Sequence, residues 1–176
     1  MTPKIQKLWH RLEAQRLDLM QLMAQHNNPT LNKKPAPEAW SALQVIHHLM
    51  DAEQASLAYM KKKLSFTSNV PKEGFKSRWR RFLLRIAFAI PLKFKAPTTL
   101  EHFPEQSNFA DLSNQWASQR LELQSFIENL PDNVVQGEIW RHQIMGKMNI
   151  AQMLDFFYTH VDRHEAQVKR TIAKVR

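Results

Sequence analysis

The chain has 176 residues, with 25 Lys and Arg against 16 Asp and Glu, a formal net charge of +9 and no cysteine. That length predicts a single domain, residues 1–176, large enough to bury a sizeable core. The absence of cysteine excludes disulfides, thiolate zinc sites and cysteine nucleophiles together.

Only 3 Gly stand against 8 Met, beside many Leu, Ala, Gln and Lys, which favours helices over strands. The opening stretch, MTPKIQKLWHRLEAQR, is charged throughout and lacks the apolar core of a signal peptide. No run reaches the roughly 18 uncharged apolar residues expected of a spanning helix. A soluble, cytoplasmic protein is the expectation.

Pro3 suits a first helical turn, and Ile5, Leu8, Trp9, Leu12, Leu19, Leu22 and Met23 then recur at helical spacing. Helix one is predicted to about His26, where Asn27, Asn28 and Pro29 stop it. Ser41 is a candidate N-cap for helix two, whose apolar positions Ala42, Val45, Ile46, Leu49, Met50, Leu57, Met60 and Leu64 follow. Between Ser65 and Ser107 lie Pro71, Gly74, Pro91, Pro97 and Pro104, with one short helical piece, KSRWRRFLLRIAFAI. A link near forty residues is too long for a turn between antiparallel neighbours, and predicts a crossover. Helix three is predicted over Phe109 to Asn129, stopped by Pro131. A loop, DNVVQGEIWRHQIMGK, leads to helix four, from about Asn149 to Lys174. The fold class is therefore all-α: a four-helix bundle whose crossover between helices two and three carries a short extra helix.

His160 and His164 are four apart on the row Met153, Phe157, His160, His164, Val168, the core-facing side of helix four. Two imidazoles on neighbouring turns of one face can reach one ion. Taken alone, such histidines are more often hydrogen-bonded core residues than ligands. Helix two offers His47 and His48, which point about 100° apart. His47 falls with Asp51, Gln54 and Lys61 on the solvated side, whereas His48 flanks the apolar arc near Ala52, Ala55 and Tyr59. His48 is the preferred partner.

WSALQVIHHLMDAE, residues 40–53, resembles the helix-two motif of the DinB-like metal-binding superfamily: a Trp and Ser opening the helix, then a His-Leu pair and an acid. HQIMGKMNIAQMLDFFYTHVDRHEAQV, residues 142–168, resembles its last-helix motif: a Gly-Lys-hydrophobic loop, then His, three residues, His and a following Gln. KAPTTLEHFPEQS is similar to the family's connector. The resemblance implies a four-helix bundle and a metal site at His48, His160 and His164. It also implies pairing into a homodimer.

Three neutral imidazoles leave a divalent ion, zinc or nickel, with open positions for water or substrate. Relatives that use low-molecular-weight thiols make a thiol-dependent transferase acting on a small electrophile the implied activity. No general base stands out. Asp51 and Asp162 are candidates to orient a ligand ring, or are surface carboxylates. His102 and His142 could line a pocket mouth and by default are polar loop residues. Trp40, Trp79, Trp116 and Trp140 read as packing groups. An alternative of another class uses the basic amphipathic segment 76–95, with Arg78, Arg81 and Arg85 on one face, at a partner or an anionic membrane surface. No motif for specific nucleic-acid recognition is present.

Overall fold

The computed structural model describes residues 1–67, 70–72, 74, 103–143 and 145–176. The basic segment 76–95, with its expected short helix, and His102 lie outside them.

Four long helices form the body: α1 (Pro3–Met23), α3 (Ala42–Phe66), α4 (Phe109–Glu128) and α6 (Ile150–Val175), with one-turn helices α2 (Asn28–Asn32) and α5 (Asp132–Val135) between them. Their starts are written in side chains. The Ser41 hydroxyl accepts from the Gln44 N–H, and the Gln44 side chain accepts from the Ser41 N–H; Asn149 and Gln152 repeat this reciprocal cap at α6. Thr2 caps α1, and Pro3 occupies its first turn. Asn27, expected only to stop helix one, caps α2 through Thr30. The segment expected as a loop contains α5 and an antiparallel hairpin, β1 (Trp140–His142) with β2 (Gly146–Met148), paired Trp140 to Met148 and His142 to Gly146. The three-residue connection leaves Gly146 at φ 78°, the left-handed conformation such hairpins require.

The helices do not simply alternate in direction. Arg11 lies over Tyr158, and Arg176 meets His26, so α1 and α6 run parallel. Glu53 meets Trp116 and Arg120, and Lys61 meets Glu122, so α3 and α4 run parallel as well. The α3–α6 pair is antiparallel. Helix α3, of 25 residues, rises about 38 Å, and a chain entering a parallel neighbour must return that distance. This is the physical reason for the long link between α3 and α4.

The core forms two layers. One gathers Ile5, Trp9, Leu57, Met60, Leu123, Ile127, Trp140, Met153 and Phe157. The other gathers Leu19, Met23, Leu43, Ile46, Leu49, Trp116, Val161, Val168 and Ile172. Within the body, Glu53 accepts from Trp116 Nε1 at 3.0 Å and from Arg120 Nε and Nη2 at 2.6 and 2.7 Å. Both ions are sealed, with Arg120 1% and Glu53 4% exposed. Arg120 also reaches the Leu12 carbonyl and Glu13, tying α1 to α4.

Candidate metal centre

Helix α3 carries His48 two turns into its length, and antiparallel α6 brings His160 and His164 opposite it. The fold thus joins residues more than a hundred positions apart. His48 Nε2 lies 3.2 Å from His160 Nε2. The ring centroids are separated by 5.1 Å for His48–His160, 4.8 Å for His48–His164 and 4.6 Å for His160–His164. One ring nitrogen from each of the three lies within 4.8 Å of the others. Two nitrogens bound to one tetrahedral zinc at roughly 2.0–2.1 Å would sit roughly 3.3 Å apart. The His48–His160 separation matches that edge, and the His164 nitrogen lies within 4.8 Å of both. The residues present fit a divalent ion.

Electrostatics keep these rings neutral, the form that ligates. Burial, and then His164, push His48 down to about 4. His160 is pushed to about 2, first by burial and then by His164, His48, His142 and Arg163. His164 is lowered by burial, partly offset by its hydrogen bond to Gln167 and reinforced by Arg163. Among the described residues, no Asp or Glu figures in the groups that shift the three rings.

The two ring edges facing away from the cluster differ. His164 Nδ1 lies 2.9 Å from Gln167 Oε1, an acceptor. The Nδ1 atom must then carry the proton, and Nε2 keeps a free lone pair. His48 Nδ1 is buried with no hydrogen-bond partner among the described residues. The His164 tautomer is therefore preset by α6 itself, whereas that of His48 is not.

Aromatic rings wall the cluster. Trp40, just before the α3 cap, lies 5.0 Å from His48 and edge-on to Phe103 at 5.3 Å. Phe156 stacks on His160 at 5.4 Å and 19°. His142 packs against Phe156, at 4.6 Å.

The remaining candidates separate clearly. His47 is not on a solvated side: it is half-buried, its Nε2 lies 2.8 Å from Ser107 Oγ, and Phe103 stacks on its ring at 6.1 Å. Asp51 and Asp162 are exposed, and Asp51 acts electrostatically on His47, where it offsets part of the lowering due to burial. A model of the DinB superfamily matches residues 11–168. The chain belongs to the DinB superfamily.

The chain is 23% identical over 145 residues to the uncharacterised protein YuaE of Bacillus subtilis (strain 168), covering 82% of this chain and 85% of that one. Its fold is similar to that of YfiT from Bacillus subtilis, described as a probable metal-dependent hydrolase with an unusual four-helix bundle topology. That match covers 97% of this chain and 87% of YfiT, with a TM-score of 0.59 and 16% identity. The parallel pairs α1–α6 and α3–α4 are this chain's departure from a simple up-and-down bundle.

Sequence reasoning missed the aromatic wall, since Phe103 comes from a connector and Phe156 shares its helix with many other apolar positions. Gln167 was readable: three residues beyond His164, it lies on the same helix face.

Proposed function

We propose that this DinB protein is a metal-dependent enzyme in which His48, His160 and His164 hold one divalent ion, zinc or nickel, and a low-molecular-weight thiol attacks a small electrophile there. The observation that carries the proposal is the convergence of three neutral ring nitrogens with no fourth protein ligand in the cluster among the described residues. When bound, such an ion supplies Lewis-acid activation, lowering the pKa of a coordinated thiol or water so that its anion is available at neutral pH. Gln167 holds the His164 ring in its ligating tautomer. Trp40, Phe103 and Phe156 line the rings and offer flat apolar surface to a substrate body.

The choice of thiol over water rests on the charges around the triad. Among the described residues no carboxylate acts on the three histidines, so no general base is at hand there for water. A thiol, with an ordinary pKa of about 8.5, needs far less help to ionise. The description of YfiT as a probable metal-dependent hydrolase supports water as the second reading.

Both are tested with the zinc- and nickel-loaded protein, using a chloronitrobenzene plus cysteine and a nitrophenyl ester without thiol. Thiol-dependent, metal-dependent release from the first substrate, absent in His160→Ala, is the expected result. Metal-dependent hydrolysis of the ester alone would replace the thiol reading with the hydrolytic one.

A further inference from the structure

The three ligand rings are not held alike. His164 is fixed by its hydrogen bond to Gln167, and Phe156 lies flat against His160. His48 Nδ1 is buried without a hydrogen-bond partner among the described residues, although a ligand histidine ordinarily donates through its outer nitrogen. For His48, packing has to do what a hydrogen bond does for His164. Trp40 lies tilted against the His48 ring at 5.0 Å, and Phe103 stands edge-on to both, 5.3 Å from Trp40 and 6.4 Å from His48. Phe103 comes from the connector before α4, so its place on His48 depends on what holds that connector.

Helix α2 holds it. The Asn32 side chain, 9% exposed, accepts the Ser107 N–H through Oδ1 at 2.9 Å and donates through Nδ2 to the Ser107 carbonyl at 2.9 Å. An amide that pairs with both the N–H and the C=O of one residue fixes that residue in place and in orientation. The same Nδ2 donates to the Asn28 carbonyl at 2.9 Å, which anchors the Asn32 side chain to its own turn. Nearer to Phe103, Gln44 of the α3 cap donates to the Pro104 carbonyl at 3.3 Å. Pro104 has a fixed φ and restricts the residue before it, so the stretch from Phe103 to Ser107 has little freedom to swing. His47 meets the Ser107 hydroxyl, whereas both hydrogen bonds to the Ser107 backbone among the described residues come from Asn32.

We propose that Asn32 is a positioning residue of the metal centre: by pinning the connector at Ser107 it seats Phe103 against Trp40 and His48, and so aims the His48 ring at the ion. The inference rests on the metal-site reading and deepens it. It gives α2, a single turn of helix, a task beyond linking α1 to α3. Among the described residues no hydrogen bond of Asn32 reaches a ligand ring, so its effect has to pass through Phe103.

The test measures zinc and nickel affinity of the full chain with a competing chelator dye. Wild type, Asn32→Ala, Phe103→Ala and the double variant are compared, with urea midpoints of the metal-free proteins alongside. Each single variant is expected to bind the metal about tenfold more weakly, the scale of a residue that supports a ligand. The double variant is expected to bind no more weakly than Phe103→Ala alone, because the two residues act in series. A purely structural Asn32 would lower the urea midpoint and leave the metal affinity of the folded protein at its wild-type value. That result overturns the inference and leaves the metal site intact. Losses that multiply to about a hundredfold in the double variant also overturn it, since independent effects add in free energy and Asn32 would then act by another route. Wild-type affinity in Phe103→Ala overturns it as well. Should Asn32→Ala not fold, Asn32→Ser takes its place with the same expectations: its hydroxyl can bond within its own turn but is too short to bridge both Ser107 groups. A wild-type chain that takes up neither zinc nor nickel overturns the inference and the proposed function together.

Discussion

At the scale of single residues, the proposed site depends on which nitrogen of each histidine is free. Gln167 settles this for His164, so Gln167→Leu should weaken divalent-metal affinity by about 10–100-fold, with Gln167→Glu recovering most of it. Equal affinity for wild type and Gln167→Leu, read with a competing chelator dye, would show that Gln167 does not prepare the ligand. His47→Ala should keep the metal, since that ring engages Ser107 and not the cluster. The lowered pKa values also set a pH dependence for the metal-free protein. The unfolded imidazole titrates near 6.5, whereas folded His48 titrates at about 4 and folded His160 at about 2. Below about pH 6.5 the unfolded chain binds protons that the folded chain refuses, so stability falls as the pH falls toward 4 and is insensitive to these rings above 7. Urea midpoints of the chelator-treated protein should therefore drop from about pH 7 to about pH 5. The same series in His160→Phe should be flatter; an equal slope would mean that other groups govern acid sensitivity.

At the scale of elements, the capped helices carry the site. Both site-bearing helices begin with a reciprocal cap, so Asn149→Ala should cost about 1 kcal/mol in urea unfolding. The sealed Glu53–Arg120 pair, which joins the parallel helices α3 and α4, matters more than either cap. Glu53→Ala leaves a buried guanidinium without its counter-ion and should cost about 3–5 kcal/mol. Replacing both partners, Glu53→Leu with Arg120→Met, should recover much of that loss, and failure to recover would assign the cost to shape and not to charge.

The elements also show what the sequence made legible. The four long helices were readable because apolar spacing and caps such as Ser41 act locally. The N-terminal boundaries at Ala42 and Phe109 were met, while α1 ends at Met23 and gives way to a turn capped by Asn27. The hairpin was hidden because WRH and GKM are too short for an alternation to register, and its pairing depends on one positive-φ glycine. His47 was misplaced because periodicity cannot see Ser107 and Phe103 arriving from a distant connector.

For the whole molecule, direction of travel is the decisive feature. Because α3 runs antiparallel to α6, a histidine early in α3 meets two in the middle of α6. The convergence of the three histidines was legible, since His160 and His164 share a helix face and the His-Leu pair marks His48. What periodicity could not supply was the separation between the two helices, which fixes the 3.2 Å approach of His48 to His160.

The central claim is that these three rings form one metal centre. Elemental analysis of untagged, chelator-free protein, with His160→Ala measured beside it, tests it most directly. About one zinc or nickel per chain in the wild type, with tight binding lost in the variant, is the expected result. No metal in either protein after reloading with both ions would contradict it, and would make His48, His160 and His164 three packed imidazoles of the core.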